Sequence, residues 1–261
     1  MDHYADINSR AIDQWAEDGW EWSVPISREE FQNALGGKWS VVLTPIKKVP
    51  AEWFKPYLVE NRLDGARLLG LASGGGQQMP VFAALGAQCT VLDYSEKQLE
   101  SEKAVSEREG YSIDIVRADM TKRLPFDDEA FDIIFHPVSN CYVEDVYHVW
   151  RECFRVLKKG GVLLAGMDNG INYLCEDEEG DNPLLIVNKL PYNPLKNAEQ
   201  LQRDLQVNGS IQFSHTMEEQ VGGQLKAGLI LTDLYEDSDA STLGTYVPLF
   251  LATRAVKPMP F

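Results

Sequence analysis

A run of small residues and an acidic residue shortly after it have the spacing of a nucleoside-binding site. The run is Ala72-Ser73-Gly74-Gly75-Gly76, and Asp93 follows 17 residues after Gly76. Glycines let the chain turn tightly and let a ligand approach the backbone closely. A carboxylate at the end of the following strand accepts hydrogen bonds from both hydroxyls of a ribose. We therefore predict a cofactor that contains a nucleoside.

The elements around this loop alternate between strand and helix. The predicted strands are 66–71, 89–93, 113–117, 131–135 and 161–166, and the predicted helices between them are 77–85, 95–109 and 146–157. This alternation predicts an α/β fold with a doubly wound, mostly parallel sheet and helices on both of its faces. Ligands bind such sheets beyond the carboxyl ends of the strands, where the loop 72–76 and the free amides of the helix from Gln77 lie.

Two segments do not follow the alternation. Residues 1–64 are rich in tryptophan, and residues 168–215 form an acidic insertion that contains proline and asparagine. A helix over 216–227 and strands over 229–235 and 249–256 follow the insertion. We predict a helical, aromatic N-terminal cap segment at 1–64 and one domain over 65–261. The N-terminal segment and the insertion are expected to cover the carboxyl ends of the strands, because specificity in such folds lies in segments added there.

Several motifs in this order resemble those of the class I S-adenosylmethionine-dependent methyltransferases. The run 68–76, LLGLASGGG, is similar to the first motif of the family, with Gly74 and Gly76 at its second and third glycines. Ala72 replaces the first glycine, and Gly70 stands where an acidic residue is usual. That residue normally helps to hold the methionine part, so Gln77, Gln78 or a residue of the N-terminal segment is expected to replace it.

The later motifs extend the resemblance over most of the chain. Asp93 and Tyr94 match the ribose-binding end of the second strand, and Asp119 and Met120 match the place where an acid meets the adenine amino group and its neighbour covers the ring. The runs 124–134 and 155–161 look like the turns into the fourth and fifth strands. The resemblance implies a seven-stranded sheet whose last strand is antiparallel. It also implies S-adenosyl-L-methionine as cofactor, with these binding residues: Ala72, Ser73, Gly74, Gly76, Gln77, Gln78, Asp93, Tyr94, Asp119, Met120 and His136.

The methyl acceptor of this family lies beside the end of the fourth strand, which reads HPVSNCY over 136–142. Methyl transfer is an in-line displacement in which the enzyme mainly positions the acceptor. His136 is a candidate general base, because its ordinary pKa is near neutrality, or a residue that holds the cofactor, which we favour. Asn140 and Tyr142 are candidates for contact with either ligand. The run departs from the (N/D)PP(Y/F) motif of methylation at base or amide nitrogens, which argues against that substrate class.

Aromatic residues near the N-terminus are candidates for a lid over the cofactor and the acceptor. Tyr4, Trp15 and Trp20 are the substrate-site candidates, and Trp22 and Trp39 belong to the same aromatic set. The alternative is ordinary packing of N-terminal helices on the sheet. We expect at least one of these tryptophans to face the site.

Charge and composition narrow the classes of partner. The 261 residues carry a formal net charge of -16, which disfavours a nucleic-acid substrate because nucleic-acid binding usually needs a basic face. No apolar run is long enough to span a membrane, and the polar first residues do not resemble a secretory signal, so we expect a cytoplasmic protein. The four cysteines form no C-x-x-C pair, and we predict no metal site.

The sequence predicts a methyltransferase acting on a small molecule, and two other functions remain open. A catalytically silent protein that binds S-adenosylmethionine is the first, because Gly70 and Ala72 depart from the motif. A nicotinamide-dependent oxidoreductase is the second, although the G-x-G-x-x-G register of dinucleotide sites is missing. The acceptor, its attacking atom and the oligomeric state are not predicted.

Overall fold

The computed structural model describes residues 3–176 and 184–259, and a seven-stranded sheet forms its centre. The strands of this sheet are β1 Arg67–Leu71, β2 Gln88–Asp93, β3 Asp114–Arg117, β4 Phe131–His136, β5 Leu157–Asp168, β8 Ile230–Asp237 and β9 Phe250–Val256. Their order is β3-β2-β1-β4-β5-β9-β8. β9 runs antiparallel to both of its neighbours, and the pairings from β3 to β5 are parallel. The predicted doubly wound sheet with an antiparallel last strand is confirmed.

Helices cover both faces of the sheet. The helices of the described chain are α1 Tyr4–Glu17, α2 Arg28–Leu35, α3 Met79–Ala84, α4 Glu96–Glu109, α5 Val146–Val156, α6 Ala198–Val207 and α7 Met217–Lys226. Helices α2, α3 and α4 contribute to the core on one face of the sheet, and α5 contributes to the core on the other. Sequence signals set several of their ends. Ser95 caps α4 by accepting a hydrogen bond from the amide of Gln98, and Gly110 ends it in the left-handed conformation. α3 begins at Met79, two residues later than predicted, with a proline in its first turn.

Two apolar cores lie on opposite sides of the sheet. On one side, Phe54 of the N-terminal segment packs with Phe82 of α3 and Phe135 of β4, and Trp53 belongs to the same core. On the other side, α5 places the fully buried Trp150 against the sheet. Part of the N-terminal segment therefore lies on a face of the sheet, where its aromatic side chains build the core.

Helix α1 lies at the carboxyl end of β2 instead. Its Ser9 hydroxyl donates to the carbonyl of Tyr94 at 2.8 Å, and Asp13 accepts from the Ser95 hydroxyl at 2.6 Å. On the other side of the helix, Asn8 bonds both the amide and the carbonyl of Ile211, in the segment before α7. Helix α1 thereby ties the end of β2 to the 168–215 insertion.

The insertion contains a small antiparallel pair, β6 Cys175–Glu176 and β7 Leu185–Ile186, together with α6. Its central residues, 177–183, lie outside the described part of the chain. Among the residues that the structure describes, none of the helices has the length and apolar character needed to cross a membrane.

Candidate cofactor and acceptor site

A cavity of about 270 Å³ opens at the carboxyl ends of β1, β2 and β4. It is walled by the glycine loop, by α1 and by the segments 42–45 and 137–143. Most of the predicted site residues line it: Ala72, Ser73, Gly74, Gln77, Gln78, Asp93, Tyr94, Asp119, Met120, Trp20 and Tyr142. The structure thus brings the glycine loop, both candidate acids and several of the predicted aromatic residues to one cavity.

The glycine loop passes close to Asp93 and to α4. The amide of Gly74 donates to Asp93 Oδ2 at 3.0 Å, and the amide of Gly75 donates to the carbonyl of Gln98 at 2.9 Å. A Cβ at Gly74 would lie 2.7 Å from the Gln98 Cβ and 3.0 Å from Asp93 Oδ2. A side chain at this position cannot fit without displacing both neighbours, which explains the glycine.

Asp93 ends β2 and is held by backbone amides. Its Oδ1 accepts from the amide of Ser95 at 3.0 Å, and its Oδ2 accepts from Gly74. Burial raises the pKa of this carboxyl group, and the amide hydrogen bonds act in the opposite direction. An ionised carboxylate has about four lone-pair directions, so two directions remain for hydroxyl donors of a ligand.

Gly76 was predicted to bind the cofactor, but the structure places it outside the cavity wall. Its amide donates to Glu102 Oε1 at 2.7 Å, and a Cβ there would lie 2.8 Å from the Val105 side chain. Gly76 therefore anchors the loop to α4. Sequence reasoning missed Glu102, which is fully buried, because an acidic residue inside a charged helical run looks like part of a solvated face.

The first motif has an unusual arrangement at Gly70. A Cβ at this residue would lie 2.4 Å from the Met79 sulfur, so Met79 occupies the space that an acidic side chain would need. Ala72, at the first motif glycine, has φ 48°, in the left-handed region that favours glycine. Of the two glutamines, Gln78 is buried on the cavity wall, and the Gln77 amide donates to the carbonyls of Glu21 and Val24.

Asp119 and Met120 line the cavity just beyond β3, as predicted. The amide of Thr121 donates to Asp119 Oδ1 at 2.8 Å, which fixes the carboxylate beside the wall. The Tyr94 hydroxyl donates to Asp6 Oδ1 of α1 at 2.6 Å. This end of the cavity therefore carries an oriented carboxylate next to a buried thioether side chain.

His136 lies behind the cavity wall and is completely buried. Its Nδ1 is 2.9 Å from the Leu71 carbonyl, and its Nε2 is 3.0 Å from Asn140 Oδ1. Asn140 is also fully buried, and its amide nitrogen donates to Gln220 of α7. Burial lowers the pKa of His136. With both ring nitrogens occupied, His136 connects the ends of β1 and β4 and has no free nitrogen for an acceptor, and Asn140 belongs to the same buried network.

The predicted aromatic residues do not all lie on the cavity wall. Trp20, Trp22 and Tyr142 line the cavity. Trp15 packs behind them, with ring centroids 5.3 Å from Trp20 and 6.4 Å from Tyr142. Tyr4, also away from the wall, packs on Phe213, and its hydroxyl accepts from the amide of Glu144.

Trp39 lies elsewhere, against Phe54 and the Asn61 side chain. Several residues of the wall were not predicted, among them Asn8, Ser9 and Ile12 of α1, residues 42–45, and Phe250 of β9. They lie far from the motifs in the chain and carry no local signal of a site.

The charges on the cavity wall all have one sign. Among the described residues that line it, Asp93 and Asp119 are the ionisable acids, and none is a lysine, arginine or histidine. Apolar side chains, including Leu43, Val138 and Phe250, form the wall away from these acids. The cavity thus combines an acidic end beside β2 and β3 with an apolar end beside β4 and β9.

Comparison with known proteins agrees with this geometry. The methyltransferase domain family matches residues 69–165. The Bacillus subtilis (strain 168) protein named "Uncharacterized methyltransferase YbaJ" is 40% identical over 253 residues, which cover 96% of this chain and 97% of that protein.

Two solved structures share the fold. An S-adenosylmethionine-dependent methyltransferase from Mesorhizobium loti is 21% identical, with a TM-score of 0.59 over 78% of this chain and 94% of its own. The [4+2]-cyclase SpnF is 16% identical, with a TM-score of 0.57 over 97% of this chain and 98% of its own. At these identities the two structures speak for the fold alone. Together with the full-length relative, the motifs and the sheet order, they establish that the chain belongs to the class I S-adenosylmethionine-dependent methyltransferases.

Proposed function

We propose that this methyltransferase acts on a small, largely apolar acceptor that is neutral or cationic, bound in the cavity beside the cofactor. The observation that carries the proposal is the cavity wall, which is closed by α1 and by residues 42–45 and has no cationic side chain among its described residues. An anionic acceptor would find no positive charge among the described wall residues, and the charged side chains there, Asp93 and Asp119, have the same sign as the acceptor.

The residues at the acidic end fit S-adenosylmethionine. We assign Asp93 to the ribose hydroxyls, because two lone-pair directions of its carboxylate remain free beside the glycine loop. Asp119 is assigned to the adenine amino group and Met120 to the face of the ring. The Ser73 hydroxyl is a further candidate, because it belongs to the cavity wall and is buried without a hydrogen-bond partner.

The apolar end is assigned to the acceptor. When bound, S-adenosylmethionine supplies an electrophilic methyl group on a sulfonium centre. The protein's own contribution is to hold the acceptor in line with that group and to exclude water, for which Tyr142, Phe250 and the tryptophans at 20 and 22 are placed on the wall. His136 is assigned a positioning role, since both of its nitrogens are already engaged.

The two added segments have different roles in this proposal. Helix α1, the two tryptophans at 20 and 22 and residues 42–45 supply the cover over the carboxyl ends of the strands. Helix α2 and residues 49–63 stabilise the sheet instead. The insertion at 168–215 supports the cover from behind through the contact between Asn8 and Ile211. We further propose a cytoplasmic enzyme whose substrates exclude nucleic acids, in keeping with the net charge of -16.

The proposal is tested by finding where a labelled methyl group goes. The protein is incubated with methyl-labelled S-adenosylmethionine and an extract of Bacillus subtilis, which encodes the 40% identical relative. We expect label in the organic-soluble ultrafiltrate and a smaller amount with Asp93→Ala. Label found mainly in protein or RNA would overturn the small-molecule assignment. Absence of label from every fraction, while the protein still binds the cofactor, would also contradict it.

A further inference from the structure

Glu102 is a carboxyl group buried beneath the glycine loop. It lies on α4, has no exposed surface, and accepts the amide hydrogen of Gly76 on Oε1 at 2.7 Å. Its second oxygen, Oε2, is buried and has no hydrogen-bond partner. A buried, ionised carboxylate with an unsatisfied oxygen lowers the stability of the folded state, so a functional role is needed to explain Glu102.

The loop is held by two acids from opposite sides. Asp93 accepts the amide of Gly74, and Glu102 accepts the amide of Gly76, two residues further on. The two carboxyl groups are close enough to interact electrostatically. A second negative charge beside Asp93 is unfavourable, and it is costlier on the fully buried Glu102 than on Asp93, which lines the cavity and is only partly buried. Asp93 has two amide donors and Glu102 has one, which makes Glu102 the protonated member.

The helix turn before Glu102 carries another buried oxygen without a hydrogen-bond partner. Gln98 precedes Glu102 by one turn on the same face of α4, and its Oε1 is also buried without a partner. A neutral carboxyl group has a hydroxyl that can donate a hydrogen bond, whereas an ionised carboxylate can only accept one. Among the described residues, the titratable groups that interact electrostatically with Glu102 are the phenol of Tyr111, the thiol of Cys89 and the carboxyl of Asp93, and none of these three is cationic.

We propose that Glu102 is a positioning residue of the cofactor site and works as a neutral acid: its Oε1 holds the Gly76 amide, and its proton keeps a second negative charge away from Asp93. The inference rests on the proposed placement of the cofactor over the glycine loop. It makes cofactor affinity depend on pH. Burial raises the pKa of Glu102 to about 8, so alkaline conditions remove its proton. Water can reach and stabilise the ionised Glu102 only if the glycine loop moves away from α4, and this movement disrupts the cofactor site.

The test compares Glu102→Gln, which keeps the acceptor oxygen and cannot ionise, with Glu102→Ala. Affinity is measured by calorimetry with S-adenosylhomocysteine and with 5′-methylthioadenosine, which has no amino acid part to titrate. We expect wild-type affinity for 5′-methylthioadenosine to fall about tenfold one pH unit above the pKa, because only about a tenth of the protein stays competent. The Gln variant should bind like wild type at neutral pH and stay constant as pH rises. The Ala variant should bind at least about tenfold more weakly than the Gln variant at every pH, the loss expected for one hydrogen bond in the loop.

Glu107→Gln is the matched control, since Glu107 is an exposed residue of the same helix, and it should follow the wild-type pH profile. The inference is overturned if the folded Ala variant binds like wild type, if the Gln variant weakens with pH as wild type does, or if wild-type affinity does not change with pH. The Asp93→Ala variant tests the placement of the cofactor independently of the role of Glu102. If its affinity is unchanged, the placement itself is wrong, whatever the Glu102 variants do.

Discussion

The sulfur of Met79 lies where a side chain at Gly70 would have to be, 2.4 Å from the position of a Cβ there. Gly70 is on β1 and Met79 begins α3, so the pair joins the strand before the glycine loop to the helix after it. The two residues are therefore complementary in size. Met79 is completely buried, so a side chain at Gly70 would force it to repack inside the core.

The Gly70→Ala variant should lose about 1–3 kcal/mol of stability, the usual cost of adding a methyl group to a packed core. In a protein that already carries Met79→Ala, the Gly70→Ala substitution should cost less stability, because the added methyl group then meets a space instead of the sulfur. Denaturant unfolding of the two single variants and the double variant measures the coupling. Purely additive effects would contradict a direct contact between the two residues.

Asp93→Ala should weaken binding of S-adenosylmethionine by about 1–3 kcal/mol, because polar groups of the ligand and the amide of Gly74 lose their partner. Calorimetric titration measures the change. Asp114→Ala provides the control, since Asp114 is an exposed residue of the neighbouring β3 and should leave the affinity unchanged. A folded Asp93 variant with wild-type affinity would remove the ribose role from this residue.

Gly74→Val should abolish cofactor binding while the sheet still forms. The branched side chain would meet Gln98 at 2.7 Å and Asp93 at 3.0 Å, so it would push the acid away from the ligand as well as fill the site. Circular dichroism reports the fold and calorimetry the affinity. Gly110→Val provides a comparison outside the cavity, because no atom lies near a Cβ at that position, although its φ of 76° also makes it a strained substitution. Retained affinity in folded Gly74→Val would contradict the loop assignment.

The fold could be predicted because its signals are local. Strand and helix patterns alternate, and the ends of α4 are marked by a serine cap and a glycine, as observed. Three wall residues could be predicted because they lie at or just after the end of a strand: Asp93, Asp119 and Met120. Parallel strands bring their carboxyl ends to one edge of the sheet.

Other parts of the site depend on contacts between residues far apart in the chain. Asn8 bonds Ile211, a separation of 203 residues, and nothing in the run around Asn8 indicates that partner. The exclusion of an acid from position 70 depends on how one methionine packs. His136 was proposed as a possible base from its ordinary pKa, but burial between two hydrogen-bond partners removes it from the cavity.

Asp168 provides a prediction about stability and pH. It ends β5, is almost fully buried, and accepts the amide of Gly170 on Oδ1, while its Oδ2 has no partner. Burial raises its pKa to about 6. In the unfolded chain an aspartate has a pKa of about 3.9. Between about pH 4 and pH 6 the unfolded state has therefore lost the proton that the folded state still holds.

Because the folded state binds more protons in this window, stability falls as pH rises through it and stays constant above it. The contribution of Asp168 is fully present below about pH 4 and is lost by about pH 6, a change of roughly 3 kcal/mol at most. In Asp168→Asn this part of the pH dependence should disappear, since the amide keeps the Gly170 hydrogen bond and does not titrate. Denaturant unfolding from about pH 4 to pH 7 measures the difference between the two proteins, with Asp114→Asn as the exposed control. Parallel curves for wild type and Asp168→Asn would mean that the carboxyl group titrates at its ordinary pKa and reaches water in the folded protein.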